Sequence, residues 1–189
     1  MNPAMTDKER TSISKFLSLI LRHRPERIGI SLDANGWADV TALLEGANKN
    51  RQVALTLDDI KEVVATNDKQ RFAFNDDHTK IRANQGHSVS VDVELEEAEP
   101  PAVLYHGTST NSIQGILESG IRSRSRLYVH LSVDEETARR VGKRHGKPII
   151  LNIDAEKMHG EGYKFYLSAN RVWLTKHVPV AYINGLPGD

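Results

Sequence analysis

Cysteine is absent from the chain, which excludes a disulfide framework and any thiolate metal site. Long apolar runs are missing too. The longest stretches, such as Leu19-Ile20-Leu21, stop after a few residues, far short of the roughly 20 needed to span a bilayer. The first residues, Met1-Asn2-Pro3-Ala4-Met5-Thr6-Asp7-Lys8, lack the apolar core of a signal peptide, so a cytoplasmic protein without a membrane partner is expected. Net charge is lacking as well, with 25 Lys and Arg against 25 Asp and Glu, and the 39% hydrophobic content is too high for a disordered chain. A length of 189 residues then fits one or two globular domains.

The zero balance hides an uneven distribution. Residues 1–90 carry 13 basic and 12 acidic side chains, residues 91–99 none and 5, and residues 100–189 carry 12 and 8. Two mildly basic lobes are therefore expected, 1–90 and 102–189, joined by an acidic linker over 91–101 that ends in Pro100-Pro101. A second reading of the linker stands beside this one. Val91, Val93 and Leu95 alternate with acids, the pattern of a short exposed strand.

In the first lobe, Thr6 and Glu9 have capping-box spacing, and Ile13, Phe16, Leu17 and Ile20 follow at helical period, predicting a helix over 7–24 that Pro25 ends. Asp39 can cap a short helix through Leu43 and Leu44. Thr56 can cap another over 57–65, with Ile60, Val63 and Val64 inward. Two strand-like runs, 70–74 and 80–82, flank the turn cluster Asn75-Asp76-Asp77-His78. Three helices and a hairpin suggest a winged helix-turn-helix, an arrangement used mostly to hold nucleic acid.

In the second lobe, Val103-Leu104-Tyr105-His106 reads as a strand turning through Gly107, and a helix follows over 112–119 with Ile113, Ile116 and Leu117 inward and Gly120 as its stop. The run 128–133 alternates strictly. That places Val129, Leu131 and Val133 on the core side and Tyr128, His130 and Ser132 together on the other. Ser132 and Glu135 are spaced as a capping box for a helix reaching His145, closed by Gly146. Strand-like runs at 148–153, 163–167 and 172–175 complete a small mixed α/β domain, and the whole chain reads as α+β.

The residues suited to chemistry are cations and histidines. Arg22-His23-Arg24 fall in the last turn of the first helix, where cations complement the carbonyl dipoles, yet the helical wheel sets Arg22 with Lys15 and Ser18 opposite the apolar stripe, facing a ligand. Both readings stand. Arg122, Arg124 and Arg126 mean either a solvated loop or an anion site. No carboxylate pair sits at strand ends beside the histidines, no nucleotide-binding glycine motif occurs, and no clustered metal-ligand spacing is present, so no metal is expected.

Taken together, Ser14-Lys15-Phe16-Leu17-Ser18 through Leu21-Arg22-His23, Gly36-Trp37, Asn67-Asp68-Lys69-Gln70-Arg71-Phe72, Ile81-Arg82-Ala83-Asn84-Gln85-Gly86-His87-Ser88, Leu104-Tyr105-His106-Gly107-Thr108, Ser125-Arg126 with Val129-His130-Leu131-Ser132, and Asn170-Arg171-Val172-Trp173-Leu174-Thr175 resemble the RNA 2'-phosphotransferase family, in order and over nearly the whole chain. The resemblance implies an N-terminal winged-helix lobe that binds RNA and a C-terminal ADP-ribosyltransferase-like lobe that binds NAD. The implied reaction is NAD-dependent removal of an internal RNA 2'-phosphate, as in tRNA splicing, through an ADP-ribosylated RNA. Its products are RNA 2'-OH, ADP-ribose 1'',2''-cyclic phosphate and nicotinamide. The family's catalytic set falls on Arg22, His23, Arg71 and Arg126, and its NAD signature on His106, His130 and Val172 with Gly107, Thr108, Ser109 and Ser132. Transferases that modify proteins often carry Glu where Val172 stands, so a protein acceptor is disfavoured. A monomer is expected. Two alternatives stay open at this level: transfer to a terminal phosphate of RNA or DNA, and a non-catalytic NAD-sensing nucleic-acid binder.

Overall fold

A computed structural model of the chain describes residues 5–49 and 54–187. It is mixed α and β and divides into two compact units, Met1–Glu94 and Leu95–Asp189.

In the first unit, α1 (Asp7–Arg22) starts at the capping box, with Thr6 N–H bonded to Glu9 at 2.8 Å and Glu9 N–H to the Thr6 hydroxyl at 3.3 Å. A short 3-10 turn (Pro25–Ile28) follows, then β1 (Ala38–Asp39), α2 (Val40–Lys49) and α3 (Leu57–Thr66). Asp39 accepts the Ala42 N–H at the start of α2, and Thr56 forms a second capping box with Asp59. The hairpin β2 (Phe72–Phe74) and β3 (Lys80–Ala83) completes the unit, with β1 added antiparallel to β3 at Ala38 opposite Ile81. Leu17, Ile20, Leu21, Leu43, Ile60 and Ile81 are fully buried, so the three helices and the sheet share one core.

The second unit begins with β4 (Glu96–Glu97) and β5 (Val103–Ser109), followed by α4 (Ile113–Ser119), β6 (Ile121–Arg122), β7 (Val129–Leu131) and α5 (Glu135–Gly142). Then come β8 (Pro148–Asp154), α6 (Ala155–Gly160), β9 (Phe165–Leu167), β10 (Trp173–Thr175), β11 (His177–Val178) and β12 (Ile183–Asn184). One sheet runs β4-β9-β10-β7 and another β12-β8-β5, while β6 and β11 pair separately. Mutual backbone bonds between Tyr105 and Ser132, both 2.8 Å, tie β5 to the end of β7. Leu104, Leu151, Ile153, Met158 and Phe165 are completely enclosed.

The acidic stretch is shared between the units. Asp92 N–H donates to Ala34 and Glu94 pairs with Arg82 at 3.0 Å in the first, whereas Glu96 and Glu97 are strand residues opposite Leu167 and Tyr166 in the second.

Three local expectations are corrected. Val133 is 58% exposed because regular pairing stops at Leu131 and the period-2 alternation ends with it. The cap of α5 is Asp134, which accepts the Thr137 N–H at 2.7 Å, while the Ser132 backbone is occupied by its bonds to Tyr105. Leu117 is exposed because α4 is only seven residues long and buries the narrow Ile113 and Ile116 edge. Among the described residues no helix is long and apolar enough to cross a membrane.

Candidate active site

The first unit gathers its cations where α1 ends. Pro25 cannot extend the helix, so His23 stands at its C-cap, donating its N–H to Leu19. The segment 84–89 then folds back over this end. Ser88 and Val89 N–H groups donate to the Arg22 carbonyl at 2.9 and 3.4 Å, and the Ser88 hydroxyl lies 2.9 Å from His23 Nδ1. Arg22 is therefore buried, 7% exposed, rather than facing outward as the isolated helical wheel has it. Gly86, at φ +91, lies against its guanidinium, where a Cβ would come within 3.3 Å of Nε and Cζ.

Arg71 is held at both backbone groups. Its N–H donates to Asn67 Oδ1 at 3.3 Å and its carbonyl accepts from Asn84 N–H at 2.9 Å. Asn67 also donates to the Ser14 hydroxyl at 3.3 Å, linking the residue after α3 to α1. Ser14, Lys15, Ser18, His23, Asn67 and Arg71 line one groove of about 600 Å³ between α1 and α3. Asp7 and Asp68 border it as well, and its hydroxyl, amide and cationic groups can donate to an anionic oxygen. Behind this wall His87 is 2% exposed, and burial, with the charges of Arg22, His23 and Arg82, pushes its pKa down to about 4.

The second unit places two imidazoles on neighbouring strands. His106 Nδ1 lies 3.1 Å from the His130 carbonyl, which only accepts, so the neutral ring carries its proton on Nδ1 and leaves a lone pair on Nε2. Burial pushes the His106 pKa down and keeps that neutral form. Arg126 Nη1 lies 2.6 Å from His130 Nδ1; a guanidinium only donates, so the His130 proton sits on Nε2. One ring thus presents an acceptor and the other a donor. Arg126 itself is pushed down by desolvation and by the nearby Arg144, yet remains a cation at any physiological pH.

Gly107 has a different role from the expected turn. It lies inside β5 opposite Ile150, and a Cβ there would stand 1.7 Å from the Ala138 carbonyl, so α5 can rest on the strand only because the side chain is missing. Thr108 and Ser109 are buried behind it, whereas Ser132 is half-buried. Val172 precedes β10 and exchanges bonds with Ser168, its N–H to the hydroxyl and its carbonyl to the N–H, both 3.0 Å. β10 in turn sets Trp173 opposite Leu131 and Leu174 opposite His130.

The structure thus brings Arg22, His23 and Arg71 around one end of the first unit, and His106, Arg126, His130 and Ser132 together in the second. The supports Ser88, Asn67 and Asn84 had no role assigned from the sequence, although all lie in the stretches that carry the resemblance. Their polar bonds link segments far apart in the chain, which no local spacing announces. Among the described residues there is no group of three or more His, Asp or Glu that could hold a metal ion.

A family model described as "RNA 2'-phosphotransferase, Tpt1 / KptA family" matches residues 8–177, which include every residue of both clusters. A protein of Hahella chejuensis is 54% identical over 178 residues, covering 94% of this chain and 95% of its own. Proteins of Rhodopirellula baltica and Burkholderia pseudomallei are each 54% identical over 178 residues, covering 94% of this chain and 96% of their own. All three bear the name "Probable RNA 2'-phosphotransferase". Identity at this level, over nearly the full length of both partners, places the chain in the RNA 2'-phosphotransferase family.

Proposed function

We propose that this protein removes the 2'-phosphate from an internal position of an RNA, with NAD as co-substrate. The first unit, read as a winged helix from its three helices and hairpin, would hold the phosphorylated RNA. The second unit, read as ADP-ribosyltransferase-like, would hold NAD. Family membership supports the acceptor, because the relatives are named for an RNA 2'-phosphate. For NAD, the observation that carries the reading is the imidazole pair on strands tied at Tyr105 and Ser132, with His106 Nδ1 held by the His130 carbonyl and His130 Nδ1 held by Arg126. Imidazoles fixed in this way suit the vicinal hydroxyls of a ribose. The half-buried, polar Ser132 nearby fits the same ligand.

The chemistry assigns each cluster a task. In the first step the RNA 2'-phosphate attacks the anomeric carbon of the nicotinamide ribose, an O–C bond forms, and nicotinamide departs with the electron pair of the broken C–N bond. The phosphate is already anionic, with a charge of roughly −1.5 to −2 near neutrality, so it needs alignment rather than a base. Arg22, His23 and Arg71 would supply that alignment. In the second step the adjacent ribose hydroxyl attacks phosphorus, its proton is lost, and the RNA oxygen leaves and is protonated. RNA 2'-OH and the cyclic phosphate of ADP-ribose result. Charge grows on the phosphoryl oxygens here, which a guanidinium such as that of Arg71 would offset. His23 can exchange protons while bonded to the Ser88 hydroxyl, which donates to a neutral Nδ1 and accepts from a protonated one.

The experiment is incubation of the protein with NAD and an RNA bearing one internal 2'-phosphate, with products resolved by size and charge. Loss of the phosphate only when NAD is present, with release of nicotinamide, is expected. Phosphate loss that proceeds equally without NAD overturns the co-substrate, and transfer of ADP-ribose to a terminal phosphate while the internal one persists overturns the acceptor.

A further inference from the structure

The second unit carries a run of cations that neither cluster uses. Residues 137–153 contain no Asp or Glu, yet Arg139, Arg140, Lys143, Arg144 and Lys147 fall within them, together with His145. All six side chains are exposed. Among the described residues the run makes one ion pair, Arg140 with Glu136 at 3.7 Å, between two well exposed groups.

Packing directs these charges outward. Ala138 and Gly142 face β5, where a Cβ on Gly142 would stand 2.6 Å from the Thr108 carbonyl, so α5 lies backbone-close on that side. Arg139 and Arg140 therefore project from its remaining faces, and Lys143 stands exposed at its C-cap. Cations do favour a helix C-terminus. The run, however, continues beyond α5 through the 3-10 turn Lys143–His145 to Lys147, which lies past the last turn in which that effect acts. The far end is pinned beside the histidine pair's strand: Thr110 N–H bonds the Lys147 carbonyl at 3.2 Å, and Gly146 stands where a Cβ would be 3.6 Å from Ser109. Arg144 also acts electrostatically on Arg126, and His145 on His106.

We infer that this basic run binds the backbone phosphates of a single-stranded RNA segment flanking the 2'-phosphate, independently of sequence. The inference rests on the proposed RNA acceptor. Guanidinium and ammonium groups that, Arg140 aside, have no acidic partner among the described residues are complementary to a polyanion, and binding one releases counterions from it.

The test uses the full-length protein and a fluorescent single-stranded RNA of about 12 nucleotides without a 2'-phosphate, titrated between about 50 and 200 mM salt. The comparison is wild type against the triple variant Arg139→Ala, Lys143→Ala, Lys147→Ala. The slope of log K against log salt should fall by about 0.7 for each lost phosphate contact, close to 2 in total. Removing three exposed cations elsewhere, Lys8→Ala, Lys49→Ala, Lys61→Ala, should leave the slope unchanged. Turnover of a minimal 2'-phosphorylated dinucleotide should persist in the first variant while KM for the longer phosphorylated RNA rises. An unchanged slope and affinity overturns the inference. Equal loss on dinucleotide and long RNA with a raised KM for NAD also overturns it, because the run would then serve the NAD diphosphate. A wild type that binds RNA with the expected slope but leaves the 2'-phosphate in place would instead refute the proposed function and leave this surface standing.

Discussion

Acidification should unfold the first unit partly through one residue, His87. Its ring is 2% exposed, lies among the charges of Arg22, His23 and Arg82, and has its pKa lowered from 6.5 to about 4. A depressed folded-state value means that the unfolded chain binds the proton more tightly. The stabilisation is therefore complete above the unfolded pKa and is lost as the pH falls from about 6.5 towards 4. The difference of about 2.5 units, at 1.36 kcal/mol each, amounts to roughly 3 kcal/mol across the window, most of it gone by pH 4.5. Such a loss is a large share of a typical domain's stability. The assay is urea unfolding at pH 7.5 and 4.5, followed by the fluorescence of Trp37, with wild type compared with His87→Asn in a Trp173→Phe background. Carboxylates contribute equally to both proteins, so the comparison isolates the histidine. Wild type should lose roughly 2 to 3 kcal/mol more than the variant between the two pH values. Equal losses, or a His87 resonance titrating near 6.5 in the folded protein, would show that the ring is not enclosed as described.

Other perturbations address the candidate site. Gly107→Ala should lower the melting temperature of the second unit sharply, by the equivalent of about 3 kcal/mol or more, because the added methyl meets the backbone carbonyl of Ala138; a melt matching wild type would contradict the close approach of α5. Ser88→Ala removes the hydroxyl bonded to His23 and should slow turnover and shift its pH profile, while Ser88→Thr restores much of both; an unaltered profile in the Ala variant would remove Ser88 from the site. Arg71→Ala and His23→Ala should let the ADP-ribosylated RNA accumulate in single-turnover time courses, whereas His130→Ala should slow the first step and accumulate nothing. The reverse pattern refutes the division of labour. Excess chelator should leave turnover intact, and activity lost in EDTA and restored by a divalent ion would reveal a metal requirement.

Local chemistry determined much of this protein. Thr6 with Glu9 and Thr56 ahead of α3 mark helix starts through bonds that span three residues, and the alternation at 128–131 assigns a buried and a polar face to β7, because such signals need only neighbouring side chains. The same short-range patterns failed where distant chain intervened. Arg22 faces solvent on an isolated helix, but the segment 84–89, some sixty residues later, covers it and bonds its carbonyl. Gly107 reads as a turn until α5 is laid across it. The residues of each cluster could be named from the sequence by resemblance, yet the protonated nitrogen of each imidazole, the braces from Ser88, Asn67 and Asn84, and the neutrality of His87 were decided only by tertiary structure. Hydrogen-bond partners and desolvation depend on which groups meet in space, and contacts between residues far apart in the chain leave no periodic trace along it.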